Sequence, residues 1–462
     1  MRQRLAQSVL DVLSFSRPGR GVEQPIGGVD EKFWEHGLRW LDEGGLALYF
    51  WRRVQAAGIQ DALPASIRSA LERRHKENKA RTCAIVEEWK QIQNFLDSGG
   101  VRAVMLKGFS LAPDYCPDPS WRVQFDHDCL VTRESVPLVE ELFERAGYCR
   151  RGADGAGQIV FLAQPVRPGS REPRDFYRAT LPRPVELHLD LWDSDREGAP
   201  LKLPGDLLAR STTRAWGAAS FNALGDEDAF LFEAVHAFRH VVHNWCRLST
   251  LYEISYFLNG RRSDRDFWHR FCARIENNLP LRHVAGVVFN LASSLFKVPD
   301  PLTNVPSRLF DLTPQLQLWI DHHGMGSAID NFSGNKLSLL LLREFVADPA
   351  RWSEIRGRRL FPLQMPHRLQ IPAPKRGHPF LREVCLYGSG VARRFWFHAR
   401  AAAQYALESV RWHVSLRRGF GHTPPREPKA PSGESERPQA RRHALRLSSR
   451  KHFYPTRDPG AN

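Results

Sequence analysis

Leu106-Lys107-Gly108 … Arg122-Val123-Gln124-Phe125-Asp126-His127-Asp128-Cys129-Leu130-Val131 is the stretch whose reading decides the fold. A Gly turn precedes a helix-like segment, and two carboxylates then stand two residues apart in an otherwise apolar strand. Strand side chains alternate faces, so Asp126 and Asp128 point the same way, about 6.6 Å apart along the backbone. Two acids side by side repel unless a cation lies between them. The simplest such cation is Mg²⁺, which takes carboxylate ligands and keeps positions open for substrate phosphates. The pattern reads as a metal-dependent phosphoryl or nucleotidyl transfer site.

Downstream, Val185-Glu186-Leu187-His188-Leu189-Asp190-Leu191 alternates with period two, as a strand does. Leu187, Leu189 and Leu191 form one face; Glu186, His188 and Asp190 form the other. Paired beside the Asp126–Asp128 strand, Glu186 completes a three-carboxylate cradle for two metals. Two ions about 3.5–4 Å apart stabilise both the attacking and the leaving oxygen of an in-line displacement.

These stretches resemble the DNA-polymerase-beta-like nucleotidyltransferase superfamily and, more narrowly, a bacterial family of uncharacterised nucleotidyltransferases. That pattern runs Leu-Lys-Gly, a short helix, Arg, an Asp-x-Asp-x-Leu-Val strand and a helix closing on Gly-Tyr. Here these are Leu106-Lys107-Gly108, Arg122, Asp126 to Val131, and Gly147-Tyr148. A later acid-x-His strand matches Glu186-Leu187-His188. A helical His-x-x-x-His segment matches His236 and His240, followed by Arg247 and Glu253. A basic, Phe-Pro stretch matches Arg358-Arg359-Leu360-Phe361-Pro362. The likeness runs in order over roughly residues 30–405.

The resemblance implies a small polymerase-beta-like nucleotidyltransferase sheet with helices; with helical spacing on either side and a tail too polar to build a core, the expected class is α+β, flanked by N- and C-terminal helical regions and a disordered basic tail. It implies that Asp126, Asp128 and Glu186 are catalytic and hold two Mg²⁺ ions, with an NTP as substrate. Lys107, Gly108, Arg122, His188, His236 and His240 are its implied nucleotide contacts. Two residues depart from the pattern. His127 stands where an aliphatic residue is usual, and on the apolar face of a strand it needs a buried partner or a route to solvent. Glu186 stands where Asp is common, and its longer arm changes the geometry.

Each residue also has a plainer reading. Lys107 either supplies a cation to phosphates or lies on the surface. Gly108 either lets the backbone approach phosphates or only starts a helix. Arg122 either bridges to phosphate or pairs with Asp126. His236, His240 and His243 fall at i, i+4 and i+7 on one helix face. Zinc accepts that spacing, but His236-Ala-Phe-Arg-His240 lacks the metalloprotease Glu. A structural or substrate-contacting role is favoured over metal ligation. Arg167, Arg171, Arg174, Arg178 and Arg183 form either a solvated hairpin tip, the favoured reading, or a triphosphate clamp.

The 462 residues suffice for two or three domains. The seven cysteines are scattered without a C-x-x-C pair, which points to reduced thiols and a cytoplasmic location. No apolar window is long enough for a membrane span. Asp11 and Gln7 interrupt the N-terminal apolar residues, so a weak amphipathic helix is expected there rather than a signal peptide. Of the net charge of +15, residues 417–462 supply +7 (eleven Lys/Arg against four Asp/Glu), leaving +8 for the rest. Contact with nucleic acid is therefore expected only through the basic tail.

The expected organisation is an N-terminal helical region (1–98), a nucleotidyltransferase α/β core (99–215), a C-terminal helical domain (216–415) and a disordered basic tail (416–462). The expected activity is metal-dependent transfer of NMP from an NTP to an unknown hydroxyl-bearing acceptor, a small molecule or a protein, with pyrophosphate release. The alternatives are a nucleotide-binding pseudoenzyme or regulator with the same fold, and a nucleic-acid-acting transferase.

Overall fold

A computed structural model of the chain describes residues 2–16, 26, 29–154, 157–163, 175–180, 183–244, 246–299, 311–329, 336–361 and 379–419. Helix α1 (Arg2–Leu13) is the expected amphipathic N-terminal helix, with Val9, Leu10 and Leu13 buried. Asp30 caps α2 (Glu31–Gly44) by accepting from the Lys32 N–H, and Gly45 ends it at φ +71°, a left-handed turn that favours glycine. Then come α3 (Ala47–Ala56) and the 34-residue α4 (Ala65–Ser98).

The chain next builds a sheet from β1 (Val104–Met105), β2 (His127–Leu130), β3 (Tyr148–Asp154), β4 (Gln158–Ala163), β5 (Val185–His188), β6 (Thr212–Trp216) and β7 (Ala219–Ala223), with α5 (Val136–Arg145) between β2 and β3. The seven strands lie in the order β3-β4-β5-β2-β1-β7-β6. β2 runs parallel to β5 and antiparallel to β1, and β1 runs parallel to β7. Because β7 pairs with β1, the sheet continues to Ala223, past the boundary expected at residue 215. β5 is shorter than the sequence pattern suggests. It stops at His188 because the Gly157 carbonyl takes the N–H groups of both Leu189 and Asp190. Asp190 therefore leaves the acidic face and pairs with Arg133 at the surface.

Helices α6 (Asp226–Val242), α7 (Leu248–Arg261), α8 (Arg265–Ile275) and α9 (Leu279–Phe296) form a bundle. Asp264 and Asn278 cap α8 and α9 through their side chains. Among the described residues α9 alone is long and apolar enough to cross a membrane, and 61% of it is buried inside the protein. Beyond it lie α10 (Ser338–Arg343), α11 (Pro349–Leu360) and the 41-residue α12 (Pro379–Gly419).

The helices before and after the sheet share one core. Trp34, Phe50 and Trp51 of α2 and α3 belong to the same buried cluster as Phe230, Phe257 and Phe289 of the bundle. A second core lies between the sheet and the helices α4 and α5, where Trp89, Leu96 and Phe143 meet Cys129, Phe161 and Leu187.

α4 also carries a buried polar seam. The Asn78 amide donates to the carbonyls of Ser120 (2.7 Å) and Arg122 (3.0 Å). Arg81, fully buried, donates to the carbonyls of Gln124 (2.8 Å) and Arg178 (2.8 Å). The Ser120, Arg122 and Gln124 carbonyls belong to the irregular stretch before β2 and that of Arg178 to the segment before β5, and α4 supplies the donors that burial demands.

Two turns further on, Glu88 of α4 resolves the polar residue at 127. His127 Nε2 lies 2.9 Å from the Glu88 carboxylate, the ring stacks on Trp89, and Arg183 also donates to Glu88. Burial alone would raise the Glu88 carboxyl, but the bonds to His127 and Arg183 outweigh it and hold the group below its ordinary value of 4.5. A depressed carboxyl stabilises the fold above its unfolded pKa, and the gain is lost as pH falls through the folded one. Glu88→Gln is therefore expected to flatten the fall in melting temperature below about pH 4.5. A melting series against pH checks this, and an acid limb as steep as wild type would contradict it. Of the arginines preceding β5, Arg178 pairs with Asp175. Arg167, Arg171 and Arg174 lie outside the described residues, as does the tail 420–462.

Candidate active site

The site forms where β2 lies beside β5. Their parallel register sets Asp128 opposite Glu186 and Leu130 opposite His188. The His188 Nε2 atom lies 2.8 Å from Asp128 Oδ1, and Lys107 Nζ lies 3.0 Å from Asp128 Oδ2. Asp128 is 2% exposed. Glu186 is half-buried and accepts a hydrogen bond from the Gln158 amide on β4. Asp128, Glu186 and His188 each present a ligand atom, all within 4.8 Å of one another. Asp126 lies beside Asp128, half-buried, but outside this group. The expected trio of acids is thus distributed differently: two of them share a cluster with a histidine, and the third flanks it.

The charges follow from burial and neighbours. Burial acts to raise the Asp128 carboxyl, but Lys107 and His188 outweigh it and hold it well below the usual carboxylate range. Burial and the adjacent Asp128 both push Asp126 up. Burial favours the neutral Lys107 amine, yet Asp128, Asp126 and Glu186 together keep it an ammonium above its ordinary value. Lys107 is therefore a largely buried, charged residue beside Asp128 and not a surface one.

Gly108 has a specific reason to be glycine. Its φ is +84°, and a Cβ there would lie 2.5 Å from the Gln124 amide. Gln124 receives the Phe109 N–H at 3.1 Å and donates to the Asp126 carbonyl at 2.7 Å. The turn after Lys107 is thereby fastened to the backbone of the first acid. Sequence reading missed Gln124, Glu88 and Gln158. The signal for Gln124 was a polar residue between Val123 and Phe125; Gln158 opens a β-type alternation.

The helical bundle supplies the facing groups. Arg122 is largely buried and pairs with Glu253 of α7 at 3.1 Å, and Glu253 also accepts from the Tyr49 hydroxyl at 2.8 Å. Arg122 thus takes its partner from the bundle and not from Asp126. Arg247 lies over the Phe125 ring and donates to the Val123 carbonyl. His236 and His240 of α6 stand edge to face, 4.3 Å between ring centroids. Burial, then the field of Lys107, lowers both imidazoles well below the ordinary range, so they are neutral. Glu233, one turn before His236, is pushed up to about 8 by burial and by Glu253. Among the described residues, buried Glu233 Oε1 and His236 Nδ1 have no hydrogen-bond partner. His243 departs from this pair and bonds Glu197 at the end of α6.

Two carboxylates and an imidazole within reach of one point fit a divalent cation that takes oxygen and nitrogen ligands. Among the described residues this is the one cluster of such donors. A family model described as an uncharacterised nucleotidyltransferase matches residues 30–297. The chain belongs to the uncharacterised nucleotidyltransferase family. The match spans α2 to α9 with the whole sheet, and Arg358 to Pro362 lie beyond it. No curated protein and no solved structure matches the chain.

Proposed function

We propose that this nucleotidyltransferase moves NMP from an NTP to a hydroxyl-bearing acceptor, a small molecule or a protein, with release of pyrophosphate. Asp126, Asp128 and Glu186, with His188 as an additional donor, are the residues assigned to holding Mg²⁺. The observation that carries this reading is the register of β2 on β5, which puts Asp128 and Glu186 side by side with Lys107 at their edge. When bound, divalent cations polarise the α-phosphate and neutralise the departing pyrophosphate.

The residues of the chain do the rest. Asp128, kept ionised by Lys107 and His188, is always available as a ligand. Lys107 adds a fixed positive charge where negative charge develops on the phosphates. Glu186, oriented by Gln158 and half-exposed, accepts the proton of the acceptor hydroxyl. The acceptor oxygen then bonds to the α-phosphorus, the bond from that phosphorus to the bridging oxygen breaks, and pyrophosphate leaves with the electron pair. Neutral His236 and His240, with protonated Glu233, offer hydrogen bonds to uncharged parts of the bound substrates.

The test is pyrophosphate release with Mg²⁺, each of the four NTPs and a pool of bacterial metabolites and proteins. Wild type is expected to release pyrophosphate, EDTA to stop it, and Glu186→Gln to lower the rate by about 10²-fold without a change in melting temperature. Release unaffected by Glu186→Gln would remove Glu186 from the mechanism. A second reading, a nucleotide-binding regulator, is favoured by Lys107 and His188 already engaging both oxygens of Asp128. It requires NTP binding with no release from wild type under any acceptor.

A further inference from the structure

Helix α12 presents two unlike faces. Ala401 and Trp412 are buried, and Ala402, Tyr405 and Leu416 pack against the main core. Trp412 also stacks near His323. This face fixes the helix to the body of the protein. At 3.6 residues per turn, Trp396, Ala403, Leu407, Val410 and Val414 fall within a sector of roughly 60° on the opposite side. The exposure follows the geometry: Trp396 is 72% exposed, Leu407 and Val410 are each 65% exposed, and Val414 is 40% exposed. Phe395, at 73%, flanks the stripe beside Trp396. The stripe is about 27 Å long at 1.5 Å per residue.

Its borders are cationic. Arg393, Arg400 and Arg411 run along one edge and Arg417 along the other, all exposed. Glu408 is the acid beside them, and Arg411 bonds it. An exposed apolar stripe of this size marks a surface that something covers. Charge decides what. A second copy would bring arginines against arginines. The neighbouring chain segments have the same sign: residues 362–378 contain three Lys/Arg and no acid, and residues 420–462 contain nine Lys/Arg against four Asp/Glu. The cover must be anionic and apolar beneath its charges along the whole stripe. Aromatic residues beside arginines, on a helix with an aliphatic stripe, suit a headgroup boundary, and a polybasic segment following it adds attraction to acidic lipids.

We propose that α12 lies on an anionic lipid surface, with Trp396, Leu407, Val410 and Val414 entering the headgroup boundary and the arginines meeting lipid phosphates. The enzyme would then be peripheral, resting on a membrane without spanning it.

Flotation of the full chain with vesicles tests this. Wild type is expected to float with vesicles of equal parts phosphatidylcholine and phosphatidylglycerol and not with phosphatidylcholine alone. Leu407→Glu/Val410→Glu is expected to lower the bound fraction about tenfold or more while leaving circular dichroism unchanged, since both side chains face solvent. Lipids brominated on their acyl chains are expected to quench wild-type fluorescence, and Trp396→Phe to remove that quenching. No flotation of wild type would overturn the proposal. So would flotation that the double variant retains and salt alone abolishes, because that is adhesion of arginines to any polyanion, nucleic acid included.

Discussion

Asp128→Asn is expected to cut pyrophosphate release by roughly 10³-fold and to destabilise the protein as well. The second effect arises because the carboxylate has a structural duty. Lys107 is largely buried at its side, 3.0 Å away, with Asp128 as its ion-pair partner. Neutralising that partner leaves a buried ammonium beside weaker charges, a change worth about 3–5 kcal/mol when an ion pair is broken from one side. Loss of activity in Asp128→Asn alone could therefore be misread as loss of fold. The double variant Asp128→Asn/Lys107→Met separates the two. It removes both charges, so urea unfolding is expected to recover much of the lost stability, while pyrophosphate release stays absent. Recovery of turnover together with stability would show that Asp128 serves packing and not phosphate chemistry. Full activity in the single variant would end the assignment outright.

Arg122→Met carries the largest expected effect on stability alone. Arg122 spans from the segment before β2 to Glu253 of α7, with its side chain 12% exposed and that of Glu253 1% exposed. Glu253 would keep the Tyr49 hydroxyl as its donor but lose its cation. A loss of about 3–5 kcal/mol is expected in equilibrium urea unfolding. Arg122→Met/Glu253→Leu is expected to restore most of it, because two apolar side chains can replace a buried pair at little net cost. If Arg122→Met unfolds like wild type yet weakens NTP binding, the guanidinium is a phosphate ligand and the pair with Glu253 is incidental. The distinction matters because Arg122 joins two regions far apart in sequence, and its loss is expected to loosen the bundle from the sheet.

The long α4 was readable from its run of helix formers ending at Gly99-Gly100, and its buried apolar residues follow that pattern. Its polar residues were not readable in the same way. Arg74, Asn78, Arg81 and Glu88 look like an ordinary solvated face, yet all four engage partners distant in sequence. Periodicity reports which side of a helix is apolar, and a polar residue buried to satisfy another segment's carbonyl leaves no mark on it. His127 shows the same limit from the other side. The sequence announced that it needed a partner, and only the packing of α4 on the sheet supplied Glu88. The strand after Val185 was overextended by its alternation, because nothing local reveals that the Gly157 carbonyl will capture the next two N–H groups.

What the sequence determined by itself was the mixed α+β class and, through its resemblance, the family; it also nominated Asp126, Asp128, Glu186, Lys107 and His188 as candidates for one site. The class rests on strand alternation and residue type, which are local properties of the chain, and the family on the ordered likeness of its motifs. The tertiary structure decided which acid shares a cluster with the histidine, where Arg122 finds its counter-charge, how β7 extends the sheet beyond residue 215, and that the helices before and after the sheet bury a single core. These depend on register, on burial and on contacts between residues more than a hundred positions apart, which no pattern along the chain encodes.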